Sequence, residues 1–82
     1  MNPIKILFFA SLRDRAGAKS IVMEIPIGAT VQNLKDQIAR DYPNLIQSME
    51  TVVVAINREF AFDENVIPEN AEIAMFPPVS GG

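Results

Sequence analysis

At 82 residues, with 49% apolar side chains and a formal charge of −3, the chain is one small folded domain and not a disordered segment. Its seven Lys and Arg residues are scattered singly, which excludes the clustered basic face that nucleic acid requires. Cys and His are both absent, so thiolate nucleophiles, disulfides and the commonest general base and metal ligand are excluded too.

Residues 4–10, IKILFFA, alternate as a strand. Ile4, Ile6, Phe8 and Ala10 share one face; Lys5, Leu7 and Phe9 share the other. Its apolar run ILFFA is too short to span a membrane or to form a signal core, so a cytoplasmic location is expected. Ser11 has the chemistry of an N-cap and Gly17 that of a stop, which places one helical turn, LRDRA, between them. Residues 20–25, SIVMEI, predict a second strand ended by Pro26 and Gly28, joined to the first as a hairpin. Thr30 then caps a helix whose Val31, Leu34 and Ile38 form one apolar stripe. Pro43 disfavours helical backbone at Tyr42, so this helix ends near Asp41. Residues 44–50 read as an irregular or short helical link. Residues 51–57, TVVVAIN, are apolar on both faces, as in an inner strand. Asn57-Arg58 makes a turn into a short return strand, EFAF. Residues 63–71 read as a polar loop with little order of its own. EIAMF, residues 72–76, is the last strand, with Ile73 and Met75 opposite Ala74 and Phe76.

The order is therefore ββαββ. One helix must cover one sheet face for a core to close. The crossover between the two strand pairs calls for a mixed sheet with the first and last strands adjacent and parallel. This is the α+β, β-grasp or ubiquitin-like architecture, expected over residues 1–76, with 77–82 as an extended tail.

Side-chain catalysis finds little support. Asp63 and Glu64, and Glu69 and Glu72, read as solvated loop charges, and Asp36 with Arg40 as a weak surface pair at i, i+4. No metal site is expected. Two other features stand out. With Ile6, Phe8, Ile73 and Met75 facing the helix, Phe9 and Phe76 meet on the open sheet face, and Phe60 can extend the patch into a partner surface. The second is the end, FPPVSGG. Pro77-Pro78 cannot extend the sheet ladder and favours a stiff polyproline course that lifts the chain off the body. Val79, Ser80, Gly81 and Gly82 continue it without bulk. Six extended residues reach roughly 20 Å, enough to probe another protein's active site.

FFASLRDRAG at 8–17, AIN at 55–57 and AMFPPVSGG at 74–82 resemble the MoaD-type family of small, ubiquitin-like sulfur carriers of molybdopterin synthase. The resemblance covers essentially the whole chain and implies a cycle. A ubiquitin-activating-like adenylyltransferase (MoeB-like) uses ATP to adenylate the Gly82 carboxylate. Sulfur from a persulfide donor displaces AMP and leaves a thiocarboxylate. The body docks on a large synthase subunit (MoaE-like) in a two-plus-two heterotetramer, and the tail delivers sulfur to cyclic pyranopterin monophosphate. By the same resemblance Gly82 bears the sulfur, Gly81 gives it clearance, and Pro77, Pro78, Val79 and Ser80 form the inserted tail. Phe9, Phe60 and Phe76 match partner contacts, and Arg13 matches a basic position. The chain itself is expected to bind no cofactor, nucleic acid or membrane, and to be no enzyme alone. One departure is Glu69-Asn70-Ala71-Glu72, where such domains often turn on Gly-Asp; Asn70 can adopt the left-handed backbone that this requires. Carriers of the thiamin or tRNA-thiolation type, a protein tag joined to lysines, and a non-covalent adaptor remain open at this point.

Overall fold

The computed structural model describes residues 1–78. Strands β1 (Asn2–Phe8) and β2 (Ser20–Ile25) pair antiparallel across helix α1 (Ser11–Ala16). Helix α2 (Val31–Asp41) crosses the sheet. A 3-10 turn (Pro43–Leu45) and helix α3 (Ser48–Thr51) then lead into β3 (Val53–Ile56), β4 (Glu59–Ala61) and β5 (Glu72–Phe76). The sheet order is β2-β1-β5-β3-β4, with β1 and β5 parallel and every other pair antiparallel. This is the mixed β-grasp sheet that the strand pattern predicts.

The core lies between one sheet face and α2. Ile4, Ile6, Ile73 and Met75 alternate onto that face and are buried. The α2 stripe of Val31, Leu34 and Ile38 closes over them; each such aliphatic side chain contributes about 1.5–3 kcal/mol when fully buried. The helix starts at a reciprocal capping box. Thr30 Oγ1 accepts from Asn33 N at 3.2 Å, and Asn33 Oδ1 accepts from Thr30 N at 3.0 Å. It ends where Tyr42, at φ −127°, precedes Pro43.

Three local expectations change. β1 begins two residues earlier and stops at Phe8, because Ala10 swings to φ 53° and becomes exposed instead of joining the core face. Ala10, not Ser11, occupies the N-cap position of α1, and no side chain caps that end. Gly17 does terminate α1, at φ 74° with its N–H donating to the Arg13 carbonyl. The strand expected from residue 51 is shortened, because Ser48–Thr51 coil into α3 and seat Met49 in the core.

The largest difference is the segment 63–71, which is ordered. Val31 N donates to the Asn65 carbonyl, Gln32 N to that of Asp63, and Ile67 N to that of Ala29. Ile67 and Ala71 are core residues. Asp63 is not merely solvated: its Oδ1 lies 2.6 Å from Nζ of the largely buried Lys35. Asp36 and Arg40 make no ion pair; Asp36 accepts from Gln32 Nε2 at 2.9 Å instead.

The far end of the segment is held by a buried amide. Asn2 Oδ1 accepts from Asn70 N at 2.7 Å, and Asn2 Nδ2 donates to the Pro68 carbonyl at 3.0 Å. Asn70 takes the left-handed conformation, φ 58°. Truncating Asn2 to Ala strands both backbone groups. The expected loss is about 1–3 kcal/mol of folding stability, read as a lower urea midpoint at unchanged slope.

Candidate functional site

The sheet face opposite α2 is covered by no helix of the described chain. One row across it runs Leu7, Ala74, Ala55, Phe60, each the register partner of the next on β1, β5, β3 and β4. The two alanines leave a hollow between larger walls. Phe9 and Phe76 close one side. Their rings stack at 4.7 Å between centroids with planes 13° apart, a geometry worth about 0.5–1.5 kcal/mol beyond area alone. Phe9 leaves the end of β1 but stays beside β5, because its N–H donates to the Met75 carbonyl at 3.1 Å. Phe60 stands 79% exposed on β4 and Phe9 41%. A cluster of aromatic surface around a shallow apolar hollow has the make-up of an interface centre.

Phe9, Phe60 and Phe76 thus come together as expected. Arg13 does not join them; it is exposed on α1 and does not line the hollow. Arg58 does, with Glu72 on the same rim. Sequence reading took Arg58 only as a turn residue. The signal was its place two residues before Phe60, on a hairpin whose register puts Phe60 on the open face.

Pro77 and Pro78 follow β5 directly. They do not leave the body at once: Pro77 is half-buried, and both line a groove formed with Ser11, Leu12 and Arg15 of α1 and with Ser48 and Thr51 of α3. Leu12 anchors α1 in the core, and Asn44 Nδ2 donates to the Arg15 carbonyl, so this groove has fixed walls. The tail thereby starts beside the Phe9–Phe76 stack, at one edge of the open face. Val79, Ser80, Gly81 and Gly82 lie outside the described residues.

Among the described residues, no group of three or more acidic side chains is placed to hold a metal ion, and no helix is long and apolar enough to cross a membrane. What the face offers is association: apolar area, a charged rim and the adjoining Pro77-Pro78 segment.

Comparison with known proteins is consistent in direction. The model of the ThiS family matches residues 6–82. The molybdopterin synthase sulfur carrier subunit of Chlamydomonas reinhardtii is 37% identical over 81 residues, covering 96% of this chain and 98% of that one. Among solved structures, SAMP1 from Haloferax volcanii superposes with a TM-score of 0.84 at 27% identity, over 98% of this chain and 99% of that one. A chain in the complex of subunits 1 and 2 of the molybdopterin-converting factor from Helicobacter pylori 26695 matches with a TM-score of 0.69 at 17% identity, over 98% and 99%. At that identity the last likeness is one of fold.

Proposed function

We propose that this chain, which belongs to the ThiS family, is the sulfur-carrier subunit of a molybdopterin synthase. Full-length similarity to carriers of that name supports the reading, and the observation that carries it is the juxtaposition of the Phe9–Phe76 face with the base of the tail. The body binds and the tail reaches. Such a division is needed because glycine gives up the most backbone entropy on ordering, about 1–2 kcal/mol per residue, so a Gly-Gly end cannot supply its own binding energy.

The reactive group is the carboxyl of Gly82. A carboxylate is a poor electrophile. An adenylyltransferase of the ubiquitin-activating type (MoeB-like) joins it to the α-phosphate of ATP and releases pyrophosphate. The terminal sulfur of a persulfide attacks the acyl carbon and expels AMP. A second thiol cleaves the remaining S–S bond, leaving the thiocarboxylate on Gly82 and a disulfide on the donor. Gly81 and Gly82 carry no Cβ, so they fit a narrow catalytic slot. Val79 and Ser80 span the distance from the Pro77-Pro78 base. The large subunit (MoaE-like) supplies the pocket in which sulfur reaches cyclic pyranopterin monophosphate; two carriers and two large subunits make up the assembly. The carrier works in the cytoplasm, holds no cofactor itself and is no enzyme alone. The existence of a solved complex between the two subunits of the Helicobacter pylori factor supports the large-subunit partner.

Reconstitution tests this. The carrier, thiocarboxylated and mixed with the large subunit and the pterin precursor, is expected to yield molybdopterin; failure with a competent large subunit overturns the assignment. Intact mass spectrometry of the carrier isolated from cells should show a fraction with one oxygen replaced by sulfur. A second reading, a protein modifier joined through Gly82 to lysines, draws on the likeness to SAMP1. Laddered adducts on other proteins, without the sulfur-bearing fraction, would favour it.

A further inference from the structure

Arg58 occupies an unusual backbone position. The β3–β4 connection has two residues, and both take positive φ: Asn57 at 49° and Arg58 at 73°. This is the pattern of a type I′ hairpin, in which the second position is ordinarily glycine because a Cβ there is strained. Asn57 suits its place. It also pins the turn to β5, since its N–H donates to the Glu72 carbonyl at 2.8 Å and its Oδ1 accepts from Glu72 N at 2.9 Å. Arg58 gains nothing of the kind. Its guanidinium has no ion-pair partner among the described residues, including Glu72 on the same rim. The turn is held firmly, so the Arg58 side chain starts from a fixed point at the edge of the hollow floored by Ala55 and Ala74.

We propose that Arg58 is a specificity-determining residue of the open face, pairing with a carboxylate that the partner presents beside the apolar side chain that fills the hollow. The proposal rests on the reading of this face as the docking surface for the large subunit. Charge complementarity favours an occupant that presents a carboxylate at this rim. The rim carries a cation with no counter-ion among the described residues, and the planar guanidinium binds a carboxylate through two parallel N–H···O bonds. A purely apolar partner would leave that charge beside the interface without a partner, at a desolvation cost. Rim charges act chiefly on the rate of encounter and on its salt dependence.

The test uses the full chain and the large subunit, with association followed by surface plasmon resonance at low and moderate salt. Arg58→Gly removes the charge and relieves the backbone, so it should raise the thermal midpoint of the carrier while weakening association about fivefold and flattening its salt dependence. Arg58→Glu should weaken it further, by roughly tenfold or more. Equal losses in the two variants would make Arg58 a packing residue and overturn the proposal. If both bind like the wild type while Phe76→Asp does not, Arg58 has no such role and the docking face stands. If all three bind like the wild type, the docking face itself is wrong.

Discussion

Deleting Gly82, or adding one residue after it, is expected to abolish sulfur delivery while the folded body keeps its stability. The reason is geometric. In the proposed cycle the group that reacts is the main-chain carboxyl, so its position is set by counting residues from the Pro77-Pro78 base. One added residue displaces it by about 3.3–3.6 Å when extended. Misplacement by even about 1 Å can cost 10²-fold in a transfer that depends on near-attack geometry. Deletion shortens the reach by the same amount and puts a serine-glycine pair where two glycines must pass. Either change leaves the core between α2 and the sheet untouched, so the thermal midpoint should stay within experimental error. Single-turnover transfer from the thiocarboxylated carrier, with the large subunit present, measures the effect. Normal transfer by either variant would show that the length of the tail does not set the position of the reacting group.

Replacing Phe76 with Asp is the second large effect. Phe76 closes the β5 strand with its side chain away from the helix, half-buried, stacked on Phe9 and in register with Val53 of β3. The substitution removes the stacked ring and puts a charge into the centre of the apolar face. Central aromatic positions of interfaces typically cost 2–4 kcal/mol on truncation, so affinity for the large subunit should fall by roughly 30- to 1,000-fold. If the proposed adenylyltransferase binds the same tail base, its complex should weaken too. Ile73 and Met75, which hold β5 in the core, are unaffected. The loss of folding stability should therefore be about 1 kcal/mol, typical of a surface-facing strand position. Circular dichroism checks the fold and titration calorimetry the affinity. A variant that unfolds, or one that binds normally, removes Phe76 from the docking face.

The contrast between expectation and structure falls along a physical line. Residue chemistry acting over a few positions was legible in the chain. Period-two alternation assigned Ile4, Ile6, Ile73 and Met75 to one face and Phe9 and Phe76 to the other. Thr30, Gly17 and Pro43 marked helix ends because caps, left-handed glycine and pre-proline restriction depend on immediate neighbours. Those same local rules failed at 63–71, whose polar composition hid an ordered strap. Its bonds go to Asn2, Ala29 and Lys35, residues far away in the chain, and no local pattern records them. Ala10 likewise follows the strand period but is turned outward by the entry into α1.

The candidate site divides in the same way. Parity along the strands was enough to turn Phe9 and Phe76 away from the helix, and residue type alone makes Gly81 and Gly82 slender, because parity and side-chain volume are properties of residues. That Ala55 and Ala74 share a row and open a hollow, that Arg58 sits on its rim, and that Pro77 lines one groove with α1 and α3 became visible only in the folded chain. Those are matters of register between strands distant in the chain, and register is chosen by the packing of the whole sheet against α2.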